Sequence, residues 1–218
     1  MAEVERADHP VVFLASRNAK KIAEMQRIMA EHVPGIEVLG LDDVAPYDEP
    51  AETEPTFEGN ALIKARAGVA ATRLPSIADD SGLCVDALNG MPGVLSARWA
   101  GTAKDDAANN RLLLEQLDDV PDERRTAHFT CAVAFVRRVG DETVEHVVHG
   151  TMPGRIIREL RGSGGFGYDV LFVADDTLAK GEERTSAELP PAEKDAISHR
   201  GRALRALAPV VAEALVRS

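Results

Sequence analysis

The feature that most constrains this chain is its first strand-and-helix unit. Val11-Val12-Phe13-Leu14-Ala15 is an apolar run of strand length, Ser16-Arg17-Asn18 is a polar turn, and Ile22, Met25, Ile28 and Met29 then recur at helical spacing. A chain that opens this way has the form of a strand–loop–helix phosphate site. The start of the helix offers N–H groups with no partner inside the helix, and the positive end of its dipole lies behind them.

The same mixture of periods continues. A second strand is expected near 37–41, leading into an acidic, proline-bearing loop, and from Glu37 to Glu58 there are eight Asp or Glu and no Lys or Arg. Thr56 is the expected N-cap of a helix carrying Leu62, Ala65 and Val69. Ser76-Ile77-Ala78 reads as a short strand that ends in an Asp79-Asp80-Ser81-Gly82 turn, with a second loop at Asn89-Gly90-Met91-Pro92-Gly93. Leu112, Leu113 and Leu117 mark a core-facing helix. Segments 127–136 and 143–149 alternate around Gly140-Asp141 as a β-hairpin. A glycine-rich loop at 162–167, a strand at 170–173 and a helical stretch through Ile197, Leu204, Leu207 and Val211 complete the pattern. The middle portion, with the hairpin at roughly 125–155, is expected to form a second lobe of a single domain.

Composition narrows the function. With 218 residues, 44% of them hydrophobic, the chain can bury one substantial core. Its longest apolar runs fall far short of the roughly 20 residues that cross a bilayer. The start, Met1-Ala2-Glu3-Val4-Glu5-Arg6, lacks the basic-then-apolar design of a secretory signal, so a cytoplasmic location is expected. A net charge of -11 opposes binding to duplex nucleic acid. Any nucleotide held here needs local Lys and Arg side chains and a divalent metal. Cys84 and Cys131 lie in apolar, strand-like stretches, where a thiol packs as a small hydrophobe.

Four groups of residues carry candidate chemistry. Ser16-x-Asn18-x-x-Lys21 can hold a triphosphate on the helix start with Lys21 as a point charge, although alone it also describes an ordinary capped helix. Asp79-Asp80-Ser81-Gly82 offers adjacent carboxylates, one of which can ligate Mg²⁺ through oxygen. The acidic loop then supplies a second ligand, Glu52 first and Glu49 behind it. Gly164-Gly165-Phe166-Gly167-Tyr168-Asp169 sets two aromatics among glycines, in a chain where aromatics are only 4%, and this arrangement favours packing on a flat base over core filling. Lys194, His199 and Arg200 provide a point charge and hydrogen-bond donors for phosphate or a purine carbonyl. His32, His128, His146 and His149 read as structural or exposed.

In this order, Ser16-x-Asn18-x-x-Lys21, Ala78-Asp79-Asp80-Ser81-Gly82-Leu83, Gly165-Phe166-Gly167-Tyr168-Asp169 and Ser198-His199-Arg200 resemble the motifs of the inosine triphosphate pyrophosphatase family. The likeness runs from about residue 11 to 207 and includes Pro92-Gly93-x-x-Ser96-Ala97-Arg98. The resemblance implies a mixed α/β fold with a long curved central sheet, two lobes around a deep cleft, and a homodimer. It implies Mg²⁺-dependent hydrolysis of dITP, ITP and XTP to the monophosphate and pyrophosphate. By position, Ser16, Arg17, Asn18, Ala19, Lys20 and Lys21 would hold the triphosphate. Asp80 would be the catalytic carboxylate and a metal ligand, and Ser81 would touch substrate. Phe166, Gly167, Tyr168, Asp169, Lys194, His199 and Arg200 would enclose the nucleotide. Two positions depart from the pattern: Ser16 stands where Thr is common, and Ala51 replaces one member of a frequent Glu-Glu pair, leaving Glu52 as the expected acidic-loop ligand.

Overall fold

The computed structural model describes residues 9–216. The acidic start at Met1 to Arg6, on which the expectation against export rests, lies outside them. The opening unit forms as the sequence predicts, with β1 at Val11–Leu14 and α1 at Ala19–Ala30, whose Met25, Ile28 and Met29 are buried. Next come β2 at Glu37–Leu39 and α2 at Phe57–Thr72, the latter capped by Thr56. Then follow β3 at Ser76–Val85 and α3 at Asp106–Gln116. The hairpin strands β4 at Thr126–Val139 and β5 at Glu142–Ile156 are both longer than their alternating cores, and β6 spans Phe172–Ala174. Three helices, α4 at Asp175–Leu178, α5 at Pro191–Ile197 and α6 at His199–Val216, close the chain.

The six strands form one sheet in the order β2-β1-β3-β4-β5-β6. β1 lies parallel to both β2 and β3, whereas β5 and β6 are antiparallel, so the sheet is mixed and the fold is mixed α/β as expected. Among the described residues, no helix is long and apolar enough to cross a membrane.

One expectation fails in a way that matters. Asp79-Asp80-Ser81-Gly82 is not a turn at the end of a short strand but the middle of a continuous ten-residue strand, β3. Turn propensity loses here to tertiary partners. Apolar residues on both sides, Ile77 and Ala78 before and Leu83 and Val85 after, are fully buried, and Lys21 pairs with the buried Asp79.

The chain divides into two compact units. One comprises the described chain up to Asp80, Ala132–His149 and the chain from Ala203; the other comprises Ser81–Cys131 and Gly150–Arg202. The first packs Ala61, Ala65 and Val69 of α2 against Ala78, Ala132, Ala134 and Val136. Small residues let α2 approach the sheet closely: a Cβ on Gly68 would meet Ser76 Oγ at 2.3 Å and the Phe13 ring at 2.9 Å. The second unit is built on Leu83, Leu113, Leu117, Phe129, Met152, Tyr168 and Phe172. Both thiols are buried, as a packing role requires, and burial pushes the Cys84 pKa up.

Candidate active site

In the first unit the turn between β1 and α1 is fixed by its own side chains. Asn18 N–H donates to Ser16 Oγ over 3.1 Å, and Asn18 Oδ1 accepts from the N–H groups of Lys20 at 3.0 Å and Lys21 at 3.3 Å. Asn18 is therefore the N-cap, Ala19 begins the helix, and the exposed Lys20 and half-buried Lys21 fall in its first turn. Lys21 Nζ reaches Asp79 Oδ2 at 2.9 Å. Arg17 is exposed and turns to the acidic loop, bonding Glu49 and lying 3.5 Å from Asp42.

Asp80 sits one residue further along β3, its side chain 12% exposed. Its Oδ2 accepts from Asn60 Nδ2 at 3.1 Å, and its Oδ1 is 3.8 Å from Lys64 Nζ. Lys64 also donates to Glu52 Oε1 and to the Asp79 carbonyl, both at 2.7 Å. Two carboxylates from separate segments, Glu52 and Asp80, thus converge on one ammonium, whereas Glu49 is engaged by Arg17. Burial pushes the pKa of Asp80 up, Glu52 and Asp79 add to the rise, and Lys64 and Asn60 oppose it.

Asn60 and Lys64 were not singled out by sequence reasoning. They stand four apart on α2, one helical turn, among the small residues that face the sheet, and Asn60 is 2% exposed. A buried amide and a lysine on an otherwise apolar helix face are the signal that could have found them. Asn60 Oδ1 also accepts from Glu54 N–H at 3.0 Å, which ties the acidic loop to α2.

The donor set suits a hard divalent cation. Among the described residues no group of three or more His, Cys, Asp and Glu side chains forms a metal cage. Mg²⁺ needs none, since it takes one or two carboxylates and fills its other positions with water and substrate phosphate.

In the second unit the glycine loop is organised by Asp169, which is 5% exposed. Asp169 Oδ2 accepts from Phe166 N–H at 2.8 Å and from Lys194 Nζ at 2.5 Å, and Lys194 lies 5.4 Å from the centre of the Phe166 ring. A Cβ at Gly165 would strike Asp169 Oδ2 at 2.2 Å, and φ of +74° there independently favours glycine. Gly167 N–H donates to Asp106 Oδ2 at 2.7 Å, and Asn110 Nδ2 donates to the Gly167 carbonyl at 2.9 Å, anchoring the loop on α3.

The two loop aromatics part company. Phe166 is 59% exposed, while Tyr168 is buried in the core and donates its hydroxyl to the Ser96 carbonyl at 2.9 Å. Its ring is core filling, which the glycine context concealed. Ser198 Oγ accepts from Gly201 N–H at 2.9 Å and so caps α6, placing His199 and Arg200 in its first turn. The His199 ring stacks on Phe129 at 5.0 Å, and Arg200 Nη2 lies 3.4 Å from Ser81 Oγ.

A mixed α/β chain that gathers Lys21, Lys64, Glu52, Asp79 and Asp80 around one strand is equipped for metal-assisted chemistry on phosphates. It belongs to the Ham1 family, whose model matches residues 12–210. The chain is 63% identical to a dITP/XTP pyrophosphatase of Nocardia farcinica over 92% of its length and 94% of that protein's. Two solved structures have the same fold. One is a nucleoside-triphosphatase, dITP/XTP pyrophosphatase, of Mycobacterium abscessus, 55% identical with a TM-score of 0.74 over 91% of this chain and 99% of that one. The other is a HAM1 protein of Coxiella burnetii, 41% identical with a TM-score of 0.81 over 94% and 99%. These likenesses bear out the family resemblance read from the ordered motifs.

Proposed function

We propose that this chain hydrolyses the non-canonical purine nucleoside triphosphates dITP, ITP and XTP to the monophosphate and pyrophosphate, keeping deaminated purines out of DNA and RNA. The observation that carries this reading is the convergence of Glu52 and Asp80 on a single cationic position beside the Lys21–Asp79 pair. The dITP/XTP pyrophosphatase activity carried in the name of the Nocardia farcinica relative supports the substrate class.

Asp80 and Glu52 would hold Mg²⁺, which when bound supplies charge neutralisation and a Lewis acid at the phosphates. Lys21 and the positive end of the α1 dipole receive the triphosphate, with Ser16, Arg17, Asn18, Ala19 and Lys20 shaping the loop around it. Asp80 also orients the water that attacks the α-phosphorus and can take that water's proton. The base is assigned to the glycine loop and the residues that organise it. Phe166 offers an exposed ring, Gly167, Tyr168 and Asp169 fix the loop, Lys194 adds charge, and Ser81 touches substrate.

Discrimination is assigned to His199 and Arg200 as donors to the oxygen at C6, where adenine carries an amine. A donor facing that amine is left unpaired, which is costly. The enzyme acts in the cytoplasm, on the free nucleotide pool, as a homodimer. Incubation with dITP, ITP, XTP and the standard triphosphates, with phosphate and pyrophosphate measured separately, tests the reading. Pyrophosphate from dITP, lost on chelation of Mg²⁺, is expected; free phosphate as the first product, or ATP hydrolysed as fast as ITP, would overturn it.

A further inference from the structure

The buried polar cluster of the first unit contains one group to which the proposed reaction gives no role. Lys64 Nζ lies 2.7 Å from Glu52 Oε1 and 3.8 Å from Asp80 Oδ1, with its third donor direction on the Asp79 carbonyl at 2.7 Å. Its side chain is only 19% exposed, so these partners are not replaced by bulk water. We propose that Lys64 is an internal counter-cation. It holds the two metal-binding carboxylates together while no metal is bound, and it yields that position when metal and nucleotide arrive together. The inference rests on the proposed role of Glu52 and Asp80 as the metal's ligands.

The physical argument concerns charge placement. Two partly buried carboxylates brought together without a cation repel each other and lose hydration, so a site made only of Glu52 and Asp80 would spread or protonate. A lysine on α2 supplies the missing charge from within the fold. Its compact ammonium on a four-carbon stem can leave, unlike the planar, multiply bonded fork of an arginine. A divalent cation meets the same oxygens with twice the charge, but arriving alone it must displace the ammonium from those carboxylates and brings it no anion in exchange. Arriving with a triphosphate, it brings new anionic partners for the displaced ammonium. Metal and nucleotide binding are therefore positively coupled through Lys64, and each raises the affinity for the other by the same factor.

The test uses Mn²⁺ as the probe, its free concentration read by electron paramagnetic resonance, on the full chain without nucleotide. Lys64→Met is expected to bind Mn²⁺ about tenfold more tightly than the unaltered protein, a coupling of ordinary size. Its metal-free melting midpoint should fall, and saturating Mn²⁺ should erase the deficit. Lys64→Gln, which keeps a donor for the Asp79 carbonyl, should show the same tightening and guards against a folding defect in the first variant. Lys21→Met removes an equal charge from Asp79 instead, and should change Mn²⁺ affinity by less than about threefold, since only a ligand-bound ammonium competes directly. Unchanged or weakened Mn²⁺ binding in both Lys64 variants, or equal tightening in Lys21→Met, overturns the proposal while leaving the metal reading intact. Mn²⁺ binding that persists undiminished in Asp80→Asn overturns the metal reading and this inference together.

Discussion

Lys21 donates from Nζ to Asp79 Oδ2 over 2.9 Å, joining the first turn of α1 to the middle of β3. The Asp79 side chain is 5% exposed and that of Lys21 is 23%. Removing the lysine therefore strands a buried carboxylate, whereas removing both charges does not. With Lys21 still partly in water, Lys21→Met should destabilise the fold by about 2 kcal/mol in urea unfolding, below the usual cost of breaking a fully buried pair. Adding Asp79→Asn to that variant should restore at least half of the loss. A double variant no more stable than the single one would show that the pair does not hold α1 to the strand.

Asp80 links stability to pH with a defined sign. Burial raises its pKa in the folded protein, so the native state holds this proton more tightly than the unfolded chain does. Its contribution is fully present below the unfolded value and is lost as pH rises through the folded one. In chelator-treated protein, Asp80→Asn should therefore raise the melting midpoint near neutral pH, and the gap should close on acidification. Each 1 kcal/mol corresponds to roughly 2–4 °C in a chain of this size. Turnover of dITP should fall by about 10²-fold or more, since an activating carboxylate and metal ligand is removed. A variant melting below the unaltered protein at neutral pH would contradict the assigned sign.

The two aromatics of the glycine loop should respond oppositely. Tyr168→Phe removes a buried hydroxyl from the Ser96 carbonyl and should cost about 1 kcal/mol in unfolding while leaving KM for dITP close to its original value. Phe166→Ala trims an exposed ring and should leave stability within about 0.5 kcal/mol, while raising KM several-fold. Urea titrations and steady-state kinetics on the two variants separate core filling from base contact.

Arg125 is a structural guanidinium, 2% exposed, that donates to the carbonyls of Leu117 at 2.6 Å, Ile156 at 3.0 Å and Ile157 at 3.3 Å. It satisfies the end of α3 and the end of β5, the second strand of the hairpin. Arg125→Met keeps much of the volume but takes the donor from the Ile156 and Ile157 carbonyls, while Leu117 keeps the Val120 N–H at 3.0 Å, and should cost about 3 kcal/mol in unfolding free energy. A loss under 1 kcal/mol would mean that water replaces the guanidinium.

How much of this was legible in the sequence follows from the range of the forces involved. β1, α1 and the Thr56-capped α2 were readable because local periodicity and capping chemistry agree with their tertiary placement. The length of β3 was not. Asp79-Asp80-Ser81-Gly82 has turn propensity, and distant partners such as Lys21, 58 positions away from Asp79, and Asn60, 20 away from Asp80, make it tolerable inside a strand. Tyr168 was misread in emphasis for the same reason, since its partner Ser96 lies 72 positions earlier. Asn60 and Lys64 escaped notice because a lysine on a helix ordinarily faces solvent. What turns this one inward is the approach of α2 to the sheet at Gly68, a packing fact invisible to local pattern.

The most direct test of the central claim is the hydrolysis of dITP in water enriched in oxygen-18, with the products resolved by mass spectrometry. Attack of water on the α-phosphorus predicts one labelled oxygen in the nucleoside monophosphate and none in pyrophosphate. Label in pyrophosphate, or in free phosphate released beside a diphosphate, would contradict it.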